Sequence, residues 1–134
     1  MKGYLFTDGG ARGNPGPAGS AALLYNEKKL IDFNGKFYPD ATNNVAEYNG
    51  LIIGLKMAIK KEITELTCYL DSELIVNQIN GEYKIKNAIL KKLKSKVDKL
   101  KESFVIIAFE HVLRVKNHLA DKLVNLILDT KLKK

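Results

Sequence analysis

Apolar residues follow two different periodicities along the chain, and the change between them predicts the order of its elements. Short apolar runs bounded by turn residues predict three consecutive strands, at 3–8, 18–25 and 29–38. Apolar positions three and four residues apart then predict a helix over 43–60. The remaining pattern predicts strands at 65–70 and 103–112, and helices at 72–79, at 88–102 and from about 117 to about 128.

This order of elements favours one fold class. Three consecutive strands form an antiparallel meander, whereas strands joined through helices pair in parallel with right-handed crossovers. We therefore expect an α/β domain with a five-stranded mixed sheet, order 3-2-1-4-5 with strand 2 antiparallel, and helices on both faces. The length of 134 residues is that of one domain, which we expect to span 1–134.

Charge and cysteine content narrow the expected partners and location. The chain has 22 basic and 15 acidic side chains, a net charge of +7, which favours a polyanion such as nucleic acid ahead of an anionic membrane surface. Lysines that only keep the surface solvated are an equally good explanation of that charge. The single cysteine, Cys68, lies in an apolar run and is expected to be a buried thiol. No run is long enough to span a membrane and the first residues lack a signal-peptide core, so a cytoplasmic location is expected.

Four acidic residues, Asp8, Glu47, Asp71 and Asp121, stand near predicted element boundaries. Each has an ordinary local explanation: Asp8 could open a turn, Glu47 could close a capping box with Asn44, and Asp71 could cap a helix. Asp121 could be an exposed acid near a helix start. The predicted topology instead brings the four to one edge of the sheet, where clustered carboxylates would hold divalent metal.

A glycine-rich loop follows the first predicted strand. Residues 7–17 read TDGGARGNPGP, with four glycines in eight positions. A turn needs only one or two such residues, so this density predicts that bare backbone approaches another group closely.

These segments resemble the ribonuclease H family, type 1, in its short prokaryotic and archaeal form. The matching motifs are TDGGARGNPGPAG at 7–19, TNNVAEYNGLIIGL at 42–55, YLDSELIVNQINGEYKIKN at 69–87 and HVLRVKNHLADKLVN at 111–125. They occur in family order and cover the chain from Tyr4 to about Leu128. The resemblance implies a ribonuclease H-like fold and an endoribonuclease that hydrolyses the RNA strand of RNA–DNA hybrids, leaving 5′-phosphate and 3′-hydroxyl ends.

The resemblance also implies a set of site residues and cofactors. It assigns two Mg²⁺ ions, with Mn²⁺ as a substitute, to the catalytic carboxylates Asp8, Glu47, Asp71 and Asp121. Backbone near Gly10, Ala11 and Arg12 would meet RNA 2′-hydroxyls, which distinguish RNA from DNA. The remaining substrate contacts would come from Asn14, Asn43, Asn44 and Thr42, the last in a pocket for a DNA phosphate. The expected partner is the hybrid, with double-stranded RNA left open, no membrane, and a monomeric chain.

Two departures from the family pattern are visible. Only 81–87 separates two helices where larger bacterial members carry a basic protrusion; lysines on the following helix could supply phosphate affinity or merely a solvated face. The mobile histidine that many members carry well before the last aspartate also has no counterpart. His118, three residues before Asp121, is the better auxiliary candidate, ahead of His111.

Two other functions remain open on the sequence alone. One is a module of the same fold that binds hybrid or double-stranded RNA without cutting it. The other is a DNA-processing nuclease or transposase with acids on the first and fourth strands. Four retained carboxylates argue against the first, and the GGARGNPG loop argues against the second.

Overall fold

The computed structural model describes residues 1–133 and contains one five-stranded sheet. Its strands are β1 (Lys2–Ala11), β2 (Gly16–Asn26), β3 (Lys29–Ala41), β4 (Glu65–Leu70) and β5 (Ile106–His111). They are ordered β3-β2-β1-β4-β5. Strand β2 is antiparallel to both of its neighbours, while β4 is parallel to β1 and to β5. The predicted strand order and the antiparallel second strand are therefore confirmed.

Four α-helices accompany the sheet in the part of the chain that the structure describes. They are α1 (Asn43–Lys60), α2 (Glu73–Ile79), α3 (Ala88–Lys101) and α4 (His118–Leu132), and a 3₁₀ turn over Arg114–Asn117 leads into the last. Side chains of Thr42, Ser72 and Asn87 cap the first three by accepting hydrogen bonds from backbone N–H groups of the first turn. None of the helices in 1–133 is long and apolar enough to cross a membrane.

The main core lies between the sheet and α1. Gly50 and Gly54 let this helix lie directly on β1: a Cβ at Gly50 would stand 2.7 Å from the Asp8 carbonyl oxygen, and one at Gly54 would stand 2.7 Å from Leu5. The largest fully buried apolar side chains of this core are Leu5, Leu24, Tyr48, Leu51, Leu55, Leu66, Leu70 and Ile75. Close contact of helix and strand fixes the position of the first turn of α1 relative to β1.

Helix α4 covers only part of the opposite face. Val124 and Leu128 pack on Ala21 of β2. Since Asp8 pairs with Ala21 across the antiparallel ladder, its side chain shares the α4 face of the sheet. Because side chains alternate along a strand, Phe6 and Tyr4 lie on that same face. Helix α4 packs near Ala21 and does not extend over these two side chains, which are half-buried.

Several element boundaries differ from the sequence-based expectation. Strand β1 runs to Ala11 rather than ending at Asp8, because Gly9–Ala11 pair with 18–20 of β2. Strand β3 continues through Pro39 to Ala41, which an edge strand tolerates because its outer N–H groups need no partner. Strand β5 is shorter than expected, and α4 extends beyond 128 to Leu132.

Candidate metal centre

Three of the four predicted acidic residues converge. Asp8, Glu47 and Asp71 each offer a carboxylate oxygen, and these oxygens all lie within 4.8 Å of one another. The register of the parallel strands β1 and β4 explains why Asp8 and Asp71 lie close together. Phe6 pairs with Tyr69, so Asp8 and Asp71 each stand two residues beyond the last β1–β4 pair. Equal offsets on neighbouring parallel strands place both carboxylates at the same edge of the sheet.

Glu47 reaches this edge because α1 touches the β1 backbone at Gly9. A Cβ at Gly9 would overlap backbone atoms of Ala46 and Glu47. The Ser20 hydroxyl also donates a 2.6 Å hydrogen bond to the Ala46 carbonyl. The first turn of α1 is therefore held against β1 and β2, with the Glu47 side chain buried beside Asp8.

The local explanations for these acids do not hold in the structure. Thr42, not Asn44, is the N-cap of α1, so Glu47 is not in a capping box. Ser72 caps α2, which leaves the Asp71 carboxylate free of that role. Asp8 lies within β1 rather than at a turn. None of the three carboxylates therefore caps a helix or opens a turn.

The cluster is electrostatically strained without a cation. Burial is the main reason that the pKa of Asp8 rises from 3.8 to about 6; the charge of Asp71 adds to the rise, and a hydrogen bond with Glu47 opposes it. Burial, followed by the charge of Asp8, raises the pKa of Glu47 well above its ordinary value. The Glu47 Oε2 atom is buried with no hydrogen-bond partner among residues 1–133. Converging, partly unsatisfied carboxylate oxygens fit a hard divalent cation such as Mg²⁺ or Mn²⁺.

Asp121 stands beside this cluster rather than within it. It lines the same cavity of about 490 Å³ as the other three acids. Its Oδ1 lies 3.3 Å from Arg114 Nη2, and its charge contributes to the raised pKa of Asp8. The structure thus brings three of the predicted carboxylates together and leaves the fourth at the cavity wall, paired with an exposed guanidinium.

The predicted substrate residues divide between two adjoining cavities. Those beside the carboxylates are Gly10, Ala11, Arg12, Asn43 and Asn44. Asn14 and Thr42 instead line a neighbouring cavity of about 230 Å³, which Asn44 and Asn87 share. Thr42 lies at the N-terminus of α1, where free amide groups favour an anion.

Asparagines fasten the glycine-rich segment to the start of α1. Asn43 Oδ1 accepts a 2.7 Å hydrogen bond from the Ala11 backbone N–H, and Asn14 Oδ1 accepts one of 3.0 Å from the Asn43 N–H. Arg12 is held from the other side by a 2.6 Å ion pair with Asp129 of α4. Of the glycines predicted to approach another group, Gly9 approaches α1 and Gly16 approaches the Arg12 carbonyl. Gly10 has open space on its cavity side, since a Cβ there would meet only Asn43 Oδ1, at 3.9 Å.

The expectation for His118 does not agree with its position. Its ring lies 3.2 Å from the Val115 carbonyl and lines a different cavity, on the face with Tyr4 and Phe6. His111 lies at the end of β5, 4.0 Å from Glu73. Neither histidine lines the carboxylate cavity.

Two residues at the site were missed in the sequence. Arg114 lines the carboxylate cavity, and Asn117 is fully buried behind it. The Asn117 amide donates to the Thr7 carbonyl at 2.8 Å and to Asp71 Oδ2 at 3.4 Å, so it orients that carboxylate. Both belong to the 111–125 motif, but a basic residue and an amide near a helix start have no chemical signature of their own in the sequence.

Comparison with known proteins agrees with this geometry. A protein-family model described as reverse transcriptase-like matches residues 6–127. A bifunctional protein of Mycobacterium tuberculosis is 41% identical over 131 residues, which cover 96% of this chain and 36% of that protein. The ribonuclease HI of Halobacterium salinarum is 32% identical over 127 residues, covering 94% of this chain and 64% of that protein. The chain thus spans about a third of the first relative's length and somewhat under two thirds of the second's.

Solved structures give the same result. The ribonuclease H1 of Halobacterium salinarum superposes with a TM-score of 0.94 at 30% identity, covering 97% of this chain and 99% of that one. LC11 ribonuclease H1, solved in complex with an RNA/DNA hybrid, gives a TM-score of 0.91 at 37% identity, with 98% and 99% covered. Fold and site together define a ribonuclease H-like domain of the reverse transcriptase-like class. The chain belongs to the ribonuclease H family, type 1.

Proposed function

We propose that the chain is a metal-dependent endoribonuclease that hydrolyses the RNA strand of RNA–DNA hybrids. The observation that carries this proposal is the convergence of Asp8, Glu47 and Asp71 within 4.8 Å beside an open, glycine-rich backbone segment. The LC11 relative, solved with a hybrid bound, supports the substrate class. The products are RNA ends with 5′-phosphate and 3′-hydroxyl groups.

The carboxylates Asp8, Glu47, Asp71 and Asp121 bind the metal in this proposal. Two Mg²⁺ ions, or Mn²⁺ in their place, supply Lewis-acid stabilisation of the attacking and leaving oxygens of the phosphodiester when bound. Buried Glu47 and Asp8 provide the oxygens that a cation would stabilise most. Burial raises both pKa values, and the charge of Asp71 adds to the rise at Asp8 as the charge of Asp8 does at Glu47. Asn117 keeps the Asp71 carboxylate oriented through its amide group.

The hybrid contacts follow from the two adjoining cavities. Backbone at Gly10, Ala11 and Arg12 reads the RNA 2′-hydroxyls, and Asn43 and Asn44 lie between the two strands. The cavity lined by Asn14 and Thr42 takes a phosphate of the DNA strand at the N-terminus of α1. The net charge of +7 supports attraction to a polyanion. We propose that the chain is a monomer in the cytoplasm. A single buried and reduced thiol, Cys68, is compatible with that reducing compartment.

Cleavage of three matched duplexes tests the proposal. With Mg²⁺ or Mn²⁺ present, a labelled RNA–DNA hybrid is expected to be cut in its RNA strand, while duplex DNA of the same sequence stays intact and EDTA stops the reaction. Duplex RNA in the same assay decides whether it is a second substrate. Binding of the hybrid without any cleavage would favour the binding module instead, and cleavage of duplex DNA would favour a DNA-processing nuclease.

We expect Arg114, and not His118, to assist turnover. Arg114 lines the carboxylate cavity with its Nη2 atom 3.3 Å from Asp121 Oδ1, whereas His118 lines the other cavity. A charge-assisted hydrogen bond contributes about 1.5–3 kcal/mol, so Arg114→Ala is expected to lower kcat/KM about tenfold or more. His118→Ala should leave it unchanged. Steady-state hydrolysis of one hybrid by the two variants checks this, and a larger loss for His118→Ala would contradict it.

A further inference from the structure

A second cavity, of about 820 Å³, lies on the α4 face of the sheet beyond the start of that helix. We name it the aromatic cavity. Its floor is formed by side chains from three adjacent strands: Leu23 and Tyr25 of β2, Tyr4 and Phe6 of β1, and Tyr69 of β4. Its volume is within the range of ordinary ligand sites. It is separate from the carboxylate cavity, and the proposed hydrolysis does not use it.

The aromatic rings of this floor are in contact with one another and remain accessible. The Phe6 ring stacks on Tyr69 with centroids 4.8 Å apart, and meets the Tyr25 ring edge to face at 5.6 Å. All of these rings, with Tyr4, are only half-buried although they lie on the central strands. Central strands of a packed sheet normally bury such side chains, so this face offers a stacking surface rather than core packing.

Charge at the rim selects among possible occupants. Exposed Lys28, in the turn between β2 and β3, and exposed Lys116, in the 3₁₀ turn before α4, both line the cavity, together with one acid, Glu27, beside Lys28 in the same turn. Asn117 lines the aromatic cavity and also bonds to Asp71, which lines the carboxylate cavity, so the two cavities are neighbours. Aromatic rings on neighbouring strands, with lysines for the phosphates, are the combination by which sheets hold single-stranded nucleic acid.

We propose that the aromatic cavity binds single-stranded nucleic acid, with bases against the rings of Tyr25, Tyr4 and Tyr69 and phosphates on Lys28 and Lys116. This surface would hold an unpaired strand continuous with a duplex at the neighbouring carboxylate cavity. Binding there requires neither metal nor hydrolysis, so it can be measured independently of the proposed enzyme activity.

The test is the fluorescence anisotropy of a short labelled single strand, measured with the whole chain in EDTA. Base–aromatic stacking predicts that Tyr25→Leu weakens binding about tenfold. Lys116→Glu is expected to weaken it too, and to reduce the dependence on salt by about one phosphate contact. Lys56→Glu, at an exposed position of α1 on the opposite face of the sheet, is the matched charge control and should leave the affinity unchanged.

An abasic strand of the same length separates stacking from charge. It is expected to bind more weakly than the normal strand and to show no loss with Tyr25→Leu. The chain has six tyrosines and no tryptophan, three of the six being in the cavity, so quenching of tyrosine emission by the normal strand gives a second readout. Circular dichroism checks that each variant is folded; Lys116→Glu changes only a surface side chain.

Two results would overturn the proposal. One is equal affinity in wild type, Tyr25→Leu and Lys116→Glu, or an equal loss with Lys56→Glu, which would reduce the binding to general charge. The other is a dimer in sedimentation velocity that Tyr25→Leu converts to monomer, which would assign the aromatic cavity to a second copy of the chain.

Discussion

Replacing Asp8 by Asn is expected to abolish hydrolysis and at the same time to make the folded chain more stable. The first effect follows from the proposed metal centre, in which Asp8 is the buried strand carboxylate beside Glu47 and Asp71. The second follows from electrostatics: an uncharged amide relieves repulsion among the three acids and costs less to bury than a carboxylate. We expect activity to fall at least a thousandfold, roughly the effect of removing one essential electrostatic group.

The stability gain depends on pH in a defined direction. The pKa of Asp8 is 3.8 ordinarily and about 6 in the folded chain, so between these values the folded state binds more protons than the unfolded state. The free energy of unfolding of the wild type therefore falls as pH rises from about 4 to about 6 and stays low above that. Asn at this position does not titrate, so at pH 7 the variant should be more stable by about 1–3 kcal/mol.

Urea unfolding of both proteins at several pH values in EDTA measures this difference. Asp98→Asn is the matched control, because Asp98 is a half-exposed acid of α3 that pairs with Lys94 and lies outside the carboxylate cavity. This control is expected to retain activity and to show no gain. An active Asp8→Asn variant, or one less stable than wild type at pH 7, would contradict the assignment of a strained metal site.

The strand order could be predicted because it follows from element order and crossover handedness alone. The extent of β1 could not, since Gly9 and Gly10 are typical of turns in any local reading. The small residues Ala18–Ser20 of β2 accept that glycine backbone as a strand neighbour, so long-range pairing overrides local preference. Because β1 continues to Ala11, Asp8 lies within the sheet rather than at the start of a turn.

The site was predictable to a similar degree. Asp8 and Asp71 follow strands that are parallel neighbours, so their convergence is a consequence of topology. Glu47 depends on where α1 begins, which the Thr42 cap decides. The wall residues depend on the 3₁₀ turn at 114–117, which directs Arg114 to the carboxylate cavity and His118 to the aromatic one. The number of residues between Arg114, His118 and Asp121 does not specify which cavity each side chain lines.

Replacing Gly9 by Ala is expected to have the largest effect on folding. A Cβ at this position would overlap the backbone of Ala46 and Glu47, and backbone cannot move aside as a flexible side chain can. Helix α1 would have to lift from β1, where it also packs through Gly50 and Gly54. Overpacking of a tight core contact costs about 1–3 kcal/mol, and we expect a loss of about 3 kcal/mol here because both partners are main chain.

Gly10→Ala is the matched control for this prediction. The only described atom near its added Cβ would be Asn43 Oδ1, at 3.9 Å, so stability should change by no more than about 0.5 kcal/mol. Since Gly10 faces the carboxylate cavity, the same change is expected to raise KM for the hybrid. Urea unfolding and steady-state hydrolysis of the two variants therefore separate a residue needed for helix contact from one needed for substrate contact. Equal stability of the two would show that α1 does not depend on the bare backbone at Gly9.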